Sequence, residues 1–247
     1  MGKHEHKRVP LGLEASLSNY QISITTGFVP SEPTAAKLTP PSFLPWTTLS
    51  KDVPHLLAQK QLRQAVEGLP VLSLDDEADV AELRLAFITL AQVASAYIWG
   101  GKGEQPLDRL PWNLAVSLKA VAEGLDIQPG LVLAADALWN WKYNTESGEP
   151  EVIFTFTGTD DERHFKLTTM GVEKTGGAAL RAGLEAAQLA GRKSSGELES
   201  KLIQVASGID SCSEVLKGMR NGCRPEVFYH QIRPYLAGSQ VSSPSPP

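Results

Sequence analysis

The sequence predicts a mainly α-helical protein, and three observations carry that prediction. Apolar residues recur at helical spacing along most of the chain, whereas residues 151–158, EVIFTFTG, alternate with the period of two expected of a strand. The chain has 247 residues, 42% hydrophobic and 21% charged, enough for a substantial core in one or two domains. We therefore expect packed helices with a short β-hairpin-like segment.

The N-terminal region is predicted to be an extended arm. Residues 1–48 are rich in Pro, Ser and Thr and contain Phe28, Phe43 and Trp46. A freely disordered tail has few aromatic side chains to bury, so we expect these residues to pin the arm to a core.

Two helices are predicted next. Apolar residues at approximate helical spacing from Ser50 to Gly68 indicate a surface helix. Residues 73–101 open with a Ser-Leu-Asp-Asp capping signature and then become apolar nearly all round from Leu83 to Ile98, which predicts a helix buried on every side.

The remaining elements follow from the same patterns. The hairpin-like segment is expected where EVIFTFTG meets a turn and then residues 163–173. Helices are expected over 112–125, 129–143, 171–191, 195–219 and the stretch PEVFYHQIRPYLAG at 225–238.

Charge and cysteine usage exclude several classes of function. The net charge is −5 and the basic residues are dispersed, which argues against nucleic acid or an anionic membrane as partner. The sequence contains no run of about 18 or more apolar residues, so no membrane span is predicted. Cys212 and Cys223 match no metal-ligand spacing, which favours a reducing, cytoplasmic setting.

Arg233 is the strongest candidate for a binding residue. It lies close to Phe228 and Tyr229, and a guanidinium between aromatic rings can hold a planar carboxylate through two hydrogen bonds. The alternatives are an arginine paired with a structural carboxylate or one that extends to water. No second histidine or carboxylate follows His230 at helical spacing, so a metal site there has little support.

Six segments, taken in order, resemble the indoleamine 2,3-dioxygenase family and its fungal members in particular. They cover roughly residues 20–238. The segments are ITTGFVP, PWTTLSKDVPHLLAQKQLRQAVEGLPVLS, AYIWGGKGEQPLDRLPWNLAV, QPGLVLAADALWNWKY, FTFTGTDDERHFKLTTMGVE and FYHQIRPYLAG. The resemblance implies a haem b protein that opens the indole ring of L-tryptophan with O2 to give N-formylkynurenine, in the kynurenine pathway.

The resemblance also implies a substrate pocket. Arg233 matches the arginine that holds the substrate carboxylate, and Phe228 and Tyr229 match aromatic residues around the indole. Phe165 matches an indole-stacking phenylalanine, and Thr169 takes the place of a serine whose hydroxyl faces substrate and O2.

Two features depart from the family pattern. Leu133 replaces a pocket tyrosine and Asp136 is one place late relative to the family's aspartate, so the wall from Leu133 to Ala137 is altered and substrate preference is in question. The proximal histidine of the family is expected beyond the end of this chain, so no metal ligand is assigned. His230, three residues before Arg233 on one helix, is expected on the substrate side.

These expectations define an organisation and two functions. The arm would span 1–48, a small helical domain 49–145, the first part of the larger helical haem domain 150–238 and a disordered tail 239–247. The chain would then be either a dioxygenase of this family or a non-catalytic, truncated product that binds an aromatic amino acid or a partner protein.

Overall fold

A computed structural model of the chain describes residues 17, 22–23, 25–34, 43–72, 78–190 and 195–238. Within these residues the protein is mainly α-helical with a small two-stranded antiparallel sheet, which confirms the predicted fold class. The chain forms two compact units. The larger contains residues 32–170 and 216–247, and the smaller contains residues 1–31 and 171–215. The predicted domain boundaries stay a prediction.

The first predicted helix is in fact two helices, α1 at Leu44–Ala58 and α2 at Leu62–Glu67. Helix α1 begins earlier than Ser50 because Pro45 lies in its first turn, where its fixed φ and missing N–H are compatible with a helix. The two helices separate at Lys60, whose φ of 58° lies in the left-handed region.

Helix α3, Val80–Trp99, forms the centre of the larger unit. The Asp79 carboxylate accepts a hydrogen bond of 2.8 Å from the Glu82 backbone N–H and so caps its start, whereas the predicted capping signature at 73–76 falls outside the described residues. Every residue from Leu85 to Ala94 is buried, as the apolar pattern predicts.

By length and composition α3 could also cross a membrane. However, 72% of the apolar window is buried inside the protein, as in the core helix of a globular domain. Helix α4, Trp112–Gly124, packs beside α3 as the sequence predicts, and its Ser117 hydroxyl accepts a hydrogen bond of 2.8 Å from the Leu72 N–H.

The predicted helix over residues 129–143 is wrong. A single π-helical turn, Ala134–Leu138, is followed by strand β1, Trp141–Tyr143, which pairs antiparallel with β2, Pro150–Val152. The hairpin therefore lies before the position predicted from EVIFTFTG. Beyond β2 the chain is irregular, because the side chain of Asn140 bonds both the N–H and the carbonyl of Phe154 and so replaces a strand partner.

The extended structure predicted for 163–173 is also wrong, because helix α5, Asp160–Leu189, runs through it. The Thr159 hydroxyl accepts a bond of 3.3 Å from the Glu162 N–H, and Asp160, Asp161 and Glu162 place negative charge in the first turn. Both features stabilise a helix start, and the alternation of EVIFTFTG does not continue beyond them.

The smaller unit contains α5 from Gly171 onward and helix α6, Ser195–Lys217, up to Val215. Within this unit the two helices pack antiparallel to each other. Small residues allow the two backbones to approach closely. The facing pairs are Gly171 with Val215, Gly176 with Cys212, Ala179 with Gly208, and Gly183 with Val205. The turn of ITTGFVP also contacts α5 through Gly27 and Gly177.

The last described element is a compound helix that we term the C-terminal segment, Pro225–Leu236. It consists of an α-helical turn, Pro225–Val227, a π-helical turn, Phe228–Ile232, and a 3-10 turn, Arg233–Leu236. Its buried side chains, Val227 and Ile232, form an apolar cluster with Cys223. This cluster anchors the segment within the larger unit.

Candidate functional site

The C-terminal segment and the following Ala237 line a groove of about 540 Å³, which we term the candidate groove. Three of its lining residues, Phe228, Tyr229 and Arg233, are residues that the sequence singled out. The others are Pro234, Leu236 and Ala237. The groove therefore combines aromatic faces with one cationic side chain.

The guanidinium of Arg233 lies over the ring of Tyr229, with its carbon 5.1 Å from the ring centroid. This cation–π contact orients the fork without using its N–H donors. Among the described residues, no carboxylate forms a salt bridge with Arg233, which is exposed. The sequence left open that Arg233 pairs with a structural carboxylate. Within the described part of the chain, Arg233 forms no such ion pair.

Phe165 reaches the same region from helix α5. Its ring lies 4.9 Å from that of Phe228 at an interplanar angle of 42°, and both rings pack on the apolar cluster of Cys223, Val227 and Ile232. The Thr169 hydroxyl donates a hydrogen bond of 2.9 Å to the Phe165 carbonyl one turn back. Its oxygen lone pairs remain able to accept a bond from a ligand.

Leu133 and Ala137 lie elsewhere and do not line the candidate groove. Leu133 is 51% exposed, whereas Ala137 is buried within the π-helical turn. The structure thus brings Phe165, Phe228, Tyr229 and Arg233 together but leaves these two predicted wall residues apart. Their roles, and that of Thr169, stay predictions.

Both π-helical turns carry predicted pocket residues. One contains Ala137, and the other contains Phe228 and Tyr229 and ends immediately before Arg233. Such wide turns are rare and are frequent at functional sites, because they redirect side chains that an α-helix would place differently. Neither turn is indicated by the periodicity of the apolar residues.

The wide turn also overturns the expected position of His230. His230 lines a separate cavity with Gly100, Gly103 and Tyr235, whereas Arg233 lines the candidate groove. An i, i+3 pair shares a face in an α-helix, but a π-helical turn rotates the two side chains apart. His230 is therefore not on the predicted substrate side.

The lining of the candidate groove suits the substrate side of a haem site, but it includes no imidazole that could bind the iron. None of His55, His164 and His230 lines the candidate groove. The Nε2–H of His164 donates to the Gly218 carbonyl at 2.8 Å, which occupies that nitrogen. Within the described part of the chain, no three His, Cys, Asp or Glu side chains converge as a metal site.

Asp161 and Arg224 hold the start of α5 against the C-terminal segment, a contact that the sequence analysis missed. The guanidinium of Arg224 donates to both carboxylate oxygens, at 3.0 and 2.8 Å, and its backbone N–H adds a bond of 2.8 Å. The side-chain bonds from Arg224 are the main reason that the pKa of Asp161 falls to about 2. The pair fixes Phe165 relative to Phe228 and so supports the groove.

A second missed feature is a buried polar cluster beside the predicted wall. The Lys166 ammonium lies 2.5 Å from an Asp136 oxygen, 3.3 Å from the Gln92 side-chain oxygen and 3.4 Å from a Glu162 oxygen. All four residues are buried. The spacing of Glu162 and Lys166, four residues apart on one helix, was the signal available in the sequence.

Phe156 and Tyr235 connect this cluster to the C-terminal segment. The ring of Phe156 lies 4.8 Å from the Lys166 ammonium on one side and stacks on Tyr235 at 4.6 Å and 11°. The Tyr235 hydroxyl donates to the Gly100 carbonyl at 3.1 Å. Burial raises the pKa of Tyr235 to about 12, with a smaller effect from the nearby carboxylates of Glu162 and Glu104.

Comparison with known proteins identifies the family of this chain. The family model described as "Indoleamine 2,3-dioxygenase" matches residues 16–246. The chain is 32% identical over 237 residues to indoleamine 2,3-dioxygenase qulI of Penicillium citrinum, covering 92% of this chain and 53% of the relative. It is 34% identical over 250 residues to indoleamine 2,3-dioxygenase of Saccharomyces cerevisiae, covering 95% of this chain and 54% of the relative.

A mammalian and a further fungal relative extend the comparison. Indoleamine 2,3-dioxygenase 1 of Mus musculus is 30% identical over 240 residues, covering 95% of this chain and 58% of the relative. A Fusarium equiseti protein named 6-hydroxytryptophan 2,3-dioxygenase fscD is 29% identical over 233 residues, covering 92% of this chain and 57% of the relative. The chain thus spans about half the length of the curated relatives it matches. On these matches, the chain belongs to the indoleamine 2,3-dioxygenase family.

Proposed function

We propose that this chain forms the amino-acid-binding part of a haem-dependent cytosolic dioxygenase that opens the indole ring of L-tryptophan with O2 and so feeds the kynurenine pathway. The observation that carries the proposal is the candidate groove, where the Arg233 guanidinium lies beside Tyr229 and Phe228. Family membership and the names of the relatives support the same reaction.

The groove suits a zwitterionic aromatic amino acid. Arg233 has no salt-bridge partner among the described residues, so its fork is available for two parallel hydrogen bonds to the substrate carboxylate. Phe228 and Phe165 supply aromatic faces against which an indole would lie. Orientation by these groups, with exclusion of water from the ring, is the contribution that this part of the chain makes to catalysis.

The chemistry at O2 belongs to the cofactor. Haem, when bound, would supply the iron centre at which O2 reacts, and Phe165, Phe228 and Tyr229 would hold the indole towards it. Both oxygen atoms of O2 add across the C2=C3 bond of the indole and this bond breaks, giving N-formylkynurenine. No separate reductant is consumed in that addition, and no protein acid or base is assigned to it.

Haem binding and turnover test this proposal together. The purified chain would be titrated with hemin, reduced with dithionite and exposed to CO, and L-tryptophan conversion in O2 would be followed by mass spectrometry. A saturable one-to-one Soret shift, with a product two oxygen atoms heavier than L-tryptophan, would support the proposal. Hemin uptake without saturation, and no product, would contradict a catalytic role for this chain.

The second candidate is a non-catalytic protein that binds an aromatic amino acid or a partner protein. It is favoured by one observation, that none of the described histidines lines the candidate groove. Isothermal titration with L-tryptophan separates the two. Saturable binding without a one-to-one haem complex would identify the chain as a binder, whereas both together support the dioxygenase.

A further inference from the structure

The buried cluster around Lys166 has a charge pattern that packing alone does not explain. The side chain of Lys166 is 1% exposed, and those of Asp136 and Glu162 are 9% and 0% exposed. Formally, one ammonium faces two carboxylates. Burying such groups costs desolvation, and apolar residues of similar volume often serve stability equally well.

Lys166 is the donor that joins three separate segments. Its ammonium contacts Gln92 on α3, Asp136 on the π-helical turn and Glu162 one turn earlier on α5. Gln92 in turn donates from its amide nitrogen to the Ala135 carbonyl at 3.1 Å. The π-helical turn is therefore held by two polar contacts that depend on the position of Lys166 and Gln92.

Glu162 has donors of its own. Its two oxygens accept bonds from the Phe156 N–H at 2.8 Å, the Thr157 N–H at 2.7 Å and the Thr157 hydroxyl at 2.7 Å. Asp136 differs, because its side chain has Lys166 as its hydrogen-bond donor among the described residues. Loss of the ammonium would thus affect the π-helical turn more than it affects Glu162.

Two members of the cluster are adjacent in sequence to predicted pocket residues. Lys166 follows Phe165, and Asp136 precedes Ala137. Across the ring of Phe156, the Lys166 ammonium is linked to Tyr235, which lies two residues after Arg233. The cluster thus contacts helix α5 and the π-helical turn directly and reaches the C-terminal segment through the ring of Phe156.

We propose that Lys166 is a positioning residue of the candidate site, because its buried ammonium fixes the π-helical turn Ala134–Leu138 against helix α5, which carries Phe165, and contacts the Phe156 ring that stacks on Tyr235 of the C-terminal segment. The inference deepens the proposed function and rests on it. Asp136 is the partner through which Lys166 acts. This assignment gives a physical role to the altered register of the LVLAADAL stretch.

The test compares two variants with the wild-type chain. Lys166→Met keeps the side-chain volume but leaves the Asp136 carboxylate buried without its donor. A loss of stability in this variant alone therefore does not test the proposal. The double variant K166M/D136N also removes the Asp136 charge, which returns the formal charge of the cluster to its wild-type value of −1 while still lacking the ammonium that bridges the segments. K142M/E151Q, which removes the exposed ion pair of the hairpin, is the matched control.

Three measurements are made on each protein: the thermal unfolding midpoint, amide hydrogen exchange along the chain, and the dissociation constant for L-tryptophan. We expect K166M/D136N to recover most of the midpoint lost in K166M. The rate of amide exchange over residues 134–141 should nevertheless rise at least about tenfold in both variants, because each loses a hydrogen bond to a charged group. Exchange in α4 should match the wild type, and L-tryptophan should bind at least about tenfold more weakly.

A purely structural role predicts a different result. Wild-type exchange over 134–141 in the double variant, or an equal rise in α4, would overturn the proposal, as would unchanged L-tryptophan affinity despite a local rise. If the wild-type chain does not bind L-tryptophan at all, the proposed function fails. The exchange data then decide separately whether Lys166 positions the turn.

Discussion

The side chain on which ligand binding most depends is Arg233. Replacing Arg233 with Met should weaken L-tryptophan binding about tenfold or more, because charge-assisted bonds to a carboxylate are lost. Arg233→Lys should recover only part of the affinity, since an ammonium cannot make two parallel bonds. Isothermal titration measures both, and Arg220→Met, an exposed arginine outside the groove, is the control. Equal binding by Arg233→Met and the wild type would contradict the assignment of the groove.

Because of Asp161, the free energy of unfolding should fall as the pH is lowered in the acidic range. Bonds from Arg224 hold its pKa near 2 in the folded protein, below its ordinary value of 3.8. A depressed folded-state pKa contributes stability that is present above the unfolded-state pKa and is lost as pH falls through the folded-state pKa. The stability advantage of the wild type over Asp161→Asn should therefore be constant above about pH 5 and decline from about pH 4 to pH 2.

Urea unfolding at successive pH values measures that difference. An advantage that does not decline towards pH 2 would show that Asp161 acts through uncharged hydrogen bonds rather than through its ion pair with Arg224. Glu151, whose pKa is lowered mainly by a bond from the exposed Lys142, provides a comparison at the hairpin.

Among the elements, the pairing of α5 with α6 depends on glycine where the helices approach most closely. A Cβ at Gly208 would lie 2.6 Å from the Ala179 Cβ, whereas a Cβ at Gly183 would lie 3.8 Å from Val205. Gly208→Ala should destabilise the protein by about 1–3 kcal/mol through overpacking. Gly183→Ala should stabilise it by about 0.5–1 kcal/mol through helix propensity.

Chemical denaturation of the two variants checks this pair of predictions. The double variant A179G/G208A restores the space between the helices and should recover part of the lost stability. If Gly208→Ala and Gly183→Ala behave alike, the close approach of the two helices is not the reason for glycine at residue 208.

Other elements show where sequence patterns succeed. Helices α3 and α4 were predicted because long apolar or amphipathic runs indicate helices whatever surrounds them. The start of α5 could have been predicted from Thr159 and Glu162, which form a capping pair three residues apart. The π-helical turn Ala134–Leu138 could not, because the side chains that contact it, Gln92 and Lys166, are distant in sequence.

Across the whole molecule, local stability should differ strongly between helices. Helix α3 is buried nearly throughout, whereas none of the described residues of α6 is fully buried. Amides of α3 should therefore exchange near the global unfolding limit, and those of α6 should exchange faster through local opening. Hydrogen exchange with mass spectrometry measures both in one sample, and α4 serves as a second buried reference. Slower exchange in α6 than in α3 would contradict this order.

The helical class of the protein, most of its helices and its family follow from local patterns and from ordered motifs, because these depend on residues close together in the chain. The same motifs indicated Arg233, Phe228, Tyr229 and Phe165 as candidates. The contact of Phe165 with Phe228 beside the candidate groove, the position of His230 beside Gly100 and Gly103, and the burial of Lys166 with Asp136 depend on contacts between distant segments. Only folding brings those segments together, so no local pattern could have revealed them.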